Sequence, residues 1–205
     1  MAEPLSGERT RRLTARLAAP LKGSYAPTMD ARPLPDRPPL VTERLVLRHP
    51  QHCDADAIVA AIGDRDVARR LARVPHPYGP EDAAFFLDRI VPHEWVWAIT
   101  RRHDDTLIGA IGLTPSPTPD VAELGYWLGR PHWGSGLATE AARAVLAFGF
   151  DTLALRTITS GYFLSNPASG RVLDKLGFVE TGPAMRPCLV EGGDVPSMEV
   201  RLSSR

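Results

Sequence analysis

Apolar and polar residues alternate along several segments of the 205-residue chain, as expected for strands with one face in a core. The first such segment is residues 42–48, with the sequence Thr-Glu-Arg-Leu-Val-Leu-Arg. Two apolar segments on either side of the polar residues 101–105 predict an antiparallel hairpin with a five-residue loop. The predicted strands cover residues 42–48, 95–99, 107–111, 121–128 and 156–163, with two more inside residues 178–202.

Helical patterns and helix-boundary residues predict the remaining elements. Asp54 and Asp64 suit the N-terminal turns of two helices, Pro80 suits the first position of a third, and Gly177 ends the last one. The predicted helices cover residues 54–62, 64–71, 80–90, 137–152 and 167–176. Because helices and strands do not alternate regularly, this order predicts an α/β (α+β) fold, with helices flanking a mixed sheet.

Composition separates the first 39 residues from the rest. This segment is rich in Pro and Arg and contains few large apolar residues, so we expect a flexible N-terminal arm over residues 1–39 and a folded domain over residues 40–205. Within the arm, Leu13 and Leu17 lie one helical turn apart among arginines. They could form a short basic helix on a partner, or the arm could remain solvated.

Charge and cysteine content exclude several classes of protein. Lys plus Arg balance Asp plus Glu at 24 each, so we expect neither nucleic acid nor a membrane as partner. Cys53 and Cys188 lie far apart and predict reduced thiols, and no apolar segment is long enough to span a membrane, so we expect a cytoplasmic protein. His49, His52 and Cys53 lack a third well-spaced ligand group, so they indicate a solvated turn and no metal site.

Gly134-Ser135-Gly136 lies directly before the predicted helix that begins at residue 137. The start of a helix presents unpaired N–H groups and partial positive charge, which suit a phosphate group, and glycines allow the backbone to approach it closely. A Gly-x-Gly alone is equally compatible with a simple turn. The dinucleotide-binding motif does not fit because Thr139 fills its last position, and no Gly-Lys-Ser/Thr sequence is present.

Three segments at set spacing, residues 122–128, 133–140 and 166–178, resemble the GNAT acetyltransferase superfamily. They are most similar to its branch that acetylates the amino-terminal alanine or serine of ribosomal proteins, which residues 42–48 also resemble. The resemblance extends from about residue 40 to the carboxyl terminus. It implies a mostly antiparallel sheet of about six to seven strands, with the fourth and fifth strands splayed apart at a bulge.

The same resemblance implies that the protein transfers an acetyl group from acetyl-CoA, a co-substrate, to an amine, without a metal. The favoured acceptor is a protein N-terminal α-amine, and a small amine or antibiotic is the alternative. A non-catalytic module that binds acetyl-CoA is a further alternative, and we expect a monomer or a homodimer. The residues implied in coenzyme binding are Tyr126, Trp127, Leu128, Trp133, Gly134, Ser135, Gly136, Leu137, Ala138, Thr139 and Asn166. The sequence departs from the superfamily at Pro131, where Gln or Arg is common.

Two residues match catalytic positions of the superfamily. Glu123 matches an acid near the acceptor amine, and a base is useful there because amines are mostly protonated at neutral pH. Glu123 could instead be a surface residue on a half-exposed strand. Leu173 replaces the tyrosine that often serves the leaving thiolate, so Ser169 is the candidate hydrogen-bond donor, with capping of its own helix as the alternative role.

Overall fold

The computed structural model describes Leu34 and residues 36–204. Eight strands form one sheet: β1 (Leu40–Val41), β2 (Leu45–Arg48), β3 (Trp95–Arg101), β4 (Asp104–Pro115), β5 (Val121–Leu128), β6 (Thr157–Phe163), β7 (Val179–Cys188) and β8 (Gly193–Ser203). Within the described residues, five α-helices accompany it: α1 (Ala55–Ile62), α2 (Arg65–Ala68), α3 (Pro80–Phe85), α4 (Leu137–Ala147) and α5 (Pro167–Lys175). This confirms the predicted α/β (α+β) fold, with helices against a mixed sheet.

The strand order in the sheet is β1-β2-β3-β4-β5-β6-β8-β7, and β5 with β6 is the one parallel pair among the described strands. The sheet has eight strands instead of the expected six to seven. The additional strand is β1, which pairs Leu40 with Leu47 and Val41 with Val46. Thr42 begins a tight turn, donating its N–H to the Leu45 carbonyl at 3.0 Å, so the strand predicted over residues 42–48 begins only at Leu45, and β1 lies before the predicted range.

Both faces of the sheet are covered. On β3, Trp95, Trp97 and Ile99 pack into a core that includes α4 and α5, whereas Val96 and Ala98 pack into a second core with α1 and α3. A strand buried on both faces carries a continuous apolar run rather than an alternating one. This burial explains why residues 95–99, Trp-Val-Trp-Ala-Ile, are apolar throughout.

Several predicted boundaries differ from the structure. The predicted five-residue loop between β3 and β4 is wrong, because Arg101 pairs with Asp104 and only Arg102 and His103 remain between them. The helix predicted over residues 64–71 is shorter in the structure, where α2 ends at Ala68. Asp64 caps the start of α2 by accepting a hydrogen bond from the Asp66 N–H at 2.8 Å. The helix predicted over 137–152 ends as α4 at Ala147 and continues in a wider turn over Phe148–Thr152.

The predicted N-terminal arm lies mostly outside the described residues, and its boundary at residue 39 stays a prediction. Its described end contacts the domain. Trp97 donates its indole N–H to the Pro38 carbonyl at 3.0 Å, and Arg37 donates to the carbonyls of Glu94 and Val91 at 3.3 and 3.2 Å. These bonds attach residues 37 and 38 to the β3 side of the sheet.

The parallel pair β5 and β6 remains joined over only three residue pairs, of which Glu123 with Thr159 is the last. Beyond Glu123 the two strands separate, which confirms the predicted splay; β1 makes these the fifth and sixth strands instead of the fourth and fifth. The bulge expected at the splay is absent, because β5 pairs with β4 in continuous register from Ala122 to Leu128. The separation of β5 from β6 therefore does not come from an inserted residue.

Candidate active site

A cleft of about 530 Å³ opens where β5 and β6 separate. Each predicted site residue except Ser135 lines it. The cleft is bounded by β5, β6, the glycine turn before α4, the first turns of α5, the segment after α2, and Arg186 of β7. The structure thus brings together residues that are far apart in the sequence, in one concave site.

The glycine turn presents a row of free backbone donors to the cleft. Gly134 and Gly136 adopt the left-handed conformation, with φ of 73° and 79°, which favours glycine. The N–H groups of residues 134–139 donate no hydrogen bond within the described part of the chain, because the first such bond of α4 is Glu140 N–H to the Gly136 carbonyl. A helix start with free donors and a positive dipole end suits an anionic ligand.

Side chains from neighbouring segments hold this turn in place. Trp133 donates its indole N–H to the Leu128 carbonyl at 2.7 Å, and the Ser135 hydroxyl donates to the His132 carbonyl at 2.8 Å. Ser135 therefore stabilises the turn from outside the cleft. Arg44 donates to the Ser135 carbonyl at 3.0 Å and to Glu140 of α4 at 2.6 Å, which connects the turn to the β1–β2 corner.

Glu140 is a mostly buried carboxylate at the centre of this connection. Its carboxyl oxygens accept hydrogen bonds from the Thr42 hydroxyl at 2.6 Å, the Arg44 N–H at 2.8 Å and the Arg44 guanidinium. Burial raises the pKa of Glu140, but the bonds from Thr42 and Arg44 together outweigh burial and lower the pKa below its ordinary value. Glu140 is therefore ionised in the folded protein at neutral pH.

Arg70, which sequence reasoning missed, spans the cleft. Its guanidinium carbon lies 4.3 Å from the centre of the Trp133 ring, and it donates to the Asn166 side-chain oxygen at 3.0 Å. Arg130, the arginine adjacent to Pro131, instead lies 3.2 Å from Asp66 and 3.8 Å from Asp64. Arg70 contacts the walls on both sides of the cleft, and no local motif in the sequence indicates this.

Tyr126 and Ser169 form a hydrogen-bonded pair across the cleft. Their hydroxyl oxygens are 2.8 Å apart, and either can be the donor. Burial raises the pKa of Tyr126 to about 12, more than the hydrogen bond from Ser169 lowers it, so the phenol stays protonated at neutral pH. Leu173, at the position where a tyrosine is common in the superfamily, is buried in the core and has no polar atom to offer.

Glu123 lines the cleft at the point where the strands separate, and its side chain is 36% exposed. One of its oxygens accepts a hydrogen bond from Arg186 at 2.6 Å, and Arg186 also donates two bonds to Glu199, each of 2.6 Å. Sequence reasoning missed Arg186 and Glu199. The sequence contains only a weak indication of their role. Ala184, Arg186 and Cys188 are every second residue of β7 and lie on its less exposed face, where a charged residue is unusual.

Comparison with known proteins adds a sequence profile to this geometry. Residues 44–179, more than half of the chain, match the profile described as "Acetyltransferase (GNAT) domain".

The chain belongs to the GNAT acetyltransferase family.

Among curated relatives of this GNAT protein, the uncharacterized N-acetyltransferase YoaA of Bacillus subtilis is 32% identical, over 76% of this chain and 90% of the relative. The ribosomal-protein-serine acetyltransferase of Escherichia coli is 32% identical over 38% of this chain and 45% of its own length. A crystal structure of the ribosomal-protein-S5-alanine acetyltransferase from Vibrio fischeri aligns with a TM-score of 0.70 and 20% identity, over 82% of this chain and 97% of that one. The expected family and activity class, acetyl transfer by an N-acetyltransferase, are confirmed.

The residues that line the cleft of this GNAT enzyme suit acetyl-CoA, the acetyl donor of the family. The free N–H groups of the glycine turn can donate to its diphosphate, and basic side chains outnumber acidic ones in the cleft. The basic side chains besides Arg186 are Arg70, Arg73, Arg171 and Lys175, and Glu123 is the acidic one. This balance favours a ligand with several negative charges.

The remaining candidates from the sequence do not join this site. His49 contacts Arg37 at 2.6 Å, and His52 lies 3.4 Å from Asp88. Among the described residues, no cluster of three His, Cys, Asp or Glu side chains is arranged to hold a metal ion. None of the helices within the described ranges has the length and apolar character needed to cross a membrane.

Proposed function

We propose that this enzyme transfers the acetyl group of acetyl-CoA to the N-terminal α-amine of a protein, with Glu123 as the general base. The position of Glu123 carries the proposal. It is the last residue of β5 that pairs with β6, so its carboxylate lines the cleft at the point where the strands part. Glu123 Oε2 accepts no hydrogen bond from the described residues, which leaves it available to an amine.

The chain's own residues have distinct parts in this proposal. Tyr126, Trp127, Leu128, Trp133 and Asn166, with the turn at residues 134–139, hold the coenzyme, and the N–H groups of the turn face its diphosphate. Bound acetyl-CoA supplies a thioester, whose carbonyl carbon bonds to the amine nitrogen as its C–S bond breaks. Glu123 takes the proton that the nitrogen releases.

The Tyr126–Ser169 pair is proposed to serve the leaving sulfur. Because the phenol of Tyr126 stays protonated, the pair holds two hydroxyl protons, of which one remains available for a hydrogen bond outside the pair. A hydroxyl is a weak acid, so we propose that Ser169 donates a hydrogen bond and stabilises the charge that develops on sulfur. Tyr126 then holds Ser169 in place.

The acceptor proposal is supported by the names of two relatives, one acting on a ribosomal protein serine and one on the alanine of ribosomal protein S5. It is tested by offering acetyl-CoA with three acceptors: a lysine-free peptide with a free N-terminal serine or alanine, the same peptide blocked at its N-terminus and carrying one lysine, and a small diamine. We expect mass spectrometry to find acetylation of the free N-terminal peptide. Acetylation of the diamine alone would replace this acceptor with the small-amine alternative, and acetylation of the lysine peptide alone would exclude the α-amine.

A further inference from the structure

A group of three charged side chains, Glu123, Arg186 and Glu199, joins β5, β7 and β8 beside the cleft. Arg186 donates three hydrogen bonds of 2.6 Å, one to Glu123 and two to Glu199. The two bonds to Glu199 use both of its carboxyl oxygens, in the planar fork geometry that fixes a guanidinium in one orientation. Glu199 therefore anchors Arg186, and Arg186 in turn reaches Glu123.

Gly161 on β6 makes this arrangement possible. It pairs in register with Glu199 of β8, and a Cβ atom on Gly161 would lie 2.5 Å from the guanidinium carbon of Arg186. A side chain of any size at this position would displace Arg186. The guanidinium thus lies directly against the backbone of β6, at the place where β6 has separated from β5.

Within the described residues, the ion-pair partner of Glu123 is Arg186. The other charged and titratable groups near Glu123 have different positions or partners. Tyr162 of β6 donates its hydroxyl to Glu180 of β7 at 3.1 Å, and Tyr126 bonds to Ser169 of α5. The basic side chains of the cleft walls are Arg70 and Arg73 after α2 and Arg171 and Lys175 of α5, and His132 lies beside the glycine turn. Arg186 is the cation among these that contacts the Glu123 carboxylate.

We propose that Arg186 is a positioning residue, which holds Glu123 by one carboxyl oxygen and leaves the other free to take the proton of the acceptor amine. This inference rests on the proposed function of Glu123. A carboxylate held at one oxygen keeps a single orientation. A correctly oriented base increases the rate at which the amine attacks the thioester.

The test uses the full chain and compares Arg186→Gln, Arg186→Lys and Gly161→Ala with wild type. We expect Arg186→Gln to lower kcat by about 10- to 100-fold and to leave the dissociation constant of acetyl-CoA within about twofold. The KM for the acceptor amine should stay within about threefold, so that the loss lies in kcat. Arg186→Lys should restore part of the rate, and Gly161→Ala should resemble Arg186→Gln.

Arg201→Gln is the matched control. Arg201 is an exposed arginine on the same strand as Glu199, and it makes no ion pair within the described residues, so its loss should change neither kcat nor KM. A purely structural role for Arg186 would lower the thermal midpoint of unfolding but leave kcat unchanged at temperatures where the variant is folded. An unchanged kcat in Arg186→Gln would overturn the proposal.

A second measurement does not depend on turnover. The mobility of the Glu123 carboxyl carbon is followed by NMR relaxation at neutral pH, in wild type and in Arg186→Gln. We expect this side chain to be more mobile in the variant, because its bond to Arg186 is lost, and equal mobility would overturn the positioning role. Full turnover in Glu123→Gln would instead contradict the proposed base, so the two failures are distinguishable.

Discussion

The two ends of the cleft are constructed differently. The proposed coenzyme end presents the backbone of one continuous segment, residues 134–139, whose N–H groups donate no hydrogen bond within the described part of the chain. The proposed acceptor end is formed by side chains and backbone of four strands: Glu123 on β5, Gly161 on β6, Arg186 on β7 and Glu199 on β8. The first end is local in sequence and the second is assembled from distant parts of the chain.

This difference determines what a substitution can change at each end. A backbone donor cannot be removed by replacing its side chain, so the coenzyme end should be sensitive to the conformation of the turn and tolerant at positions such as Ser135. At the acceptor end each side chain has a separate function, so single conservative replacements should alter rate without altering coenzyme affinity.

The largest effect is expected from Gly134→Val. Gly134 has φ of 73°, and a β-branched residue is strained there and also brings bulk to the surface that faces the ligand. We expect the dissociation constant of acetyl-CoA to rise by at least about 100-fold, since loss of several charge-assisted hydrogen bonds is worth about 3 kcal/mol or more. Isothermal titration calorimetry measures this directly.

Gly192→Val is the control that separates the effect of backbone strain on stability from the loss of acetyl-CoA binding. Gly192 has nearly the same conformation, φ of 75°, and lies in the turn between β7 and β8, and a Cβ atom at either glycine would have no neighbour within 4 Å. Both variants should lose similar stability, whereas only Gly134→Val should lose coenzyme affinity. If Gly134→Val and Gly192→Val bound acetyl-CoA with equal affinity, the assignment of the diphosphate to the glycine turn would be refuted.

A smaller effect is expected from Ser169→Ala, which removes the hydroxyl proposed to donate a hydrogen bond to the leaving sulfur. One hydrogen bond that stabilises developing charge is worth about 1 to 2 kcal/mol, so we expect kcat to fall by about 10-fold, with coenzyme affinity preserved. Tyr162→Phe is the control, because Tyr162 also lines the cleft but bonds to Glu180. Steady-state kinetics that show no loss in Ser169→Ala would favour its alternative role at the start of α5.

Arg70→Met tests the coenzyme end for a side-chain contribution. The variant keeps much of the contact with Trp133 but loses the positive charge and the bond to Asn166. We expect affinity for acetyl-CoA to weaken by about five- to tenfold, as for one cation near a phosphate, with less dependence on salt. The neighbouring Arg69, which is exposed and pairs with Asp66, provides the control Arg69→Met, which should bind normally. Equal affinities in the two variants would remove Arg70 from the site.

The smallest effect is expected from Glu140→Gln, which weakens the support behind the glycine turn. Glu140 is mostly buried while Arg44 is 44% exposed, so the loss should be about 1 kcal/mol in the free energy of unfolding after screening by solvent. Because the folded-state pKa of Glu140 is lowered from 4.5, its contribution is complete above pH 4.5 and is lost as pH falls through the folded-state pKa.

Urea unfolding at several pH values checks this prediction. The difference between wild type and Glu140→Gln should be constant near neutral pH and should shrink in acid. Glu43→Gln is the control, because Glu43 is an exposed neighbour on the β1–β2 corner and should be neutral. A difference that grows as pH falls would contradict the assigned role of Glu140.

The elements that form the proposed coenzyme end could be predicted from the sequence because their determinants are local. A glycine turn before a helix is visible as a short motif, and β5 was predicted with its observed bounds, Val121–Leu128. At the proposed acceptor end the sequence indicated only Glu123, whose role stays a prediction. Its partners, Arg186 and Glu199, lie 63 and 76 positions further along the chain, and only the pairing of β6, β8 and β7 brings them near.

Boundaries that depend on tertiary contacts were also missed. Residues 64–71 carry a helical pattern, yet α2 ends at Ala68, and the next residues lead Arg70 across the cleft to Trp133 and Asn166. The β3–β4 turn is tighter than its polar composition suggested, because the strands stay paired to Arg101 and Asp104. Neither outcome follows from local propensity, which tertiary packing overrides.

The most direct test of the central claim compares binding and turnover in one variant, Glu123→Gln. The substitution keeps the shape of the side chain and removes its ability to accept a proton. With acetyl-CoA and an accepted amine, we expect a fall in kcat of about 100-fold or more, with the dissociation constant of acetyl-CoA unchanged within about twofold. Turnover at the wild-type rate would contradict the assignment of Glu123 as the base.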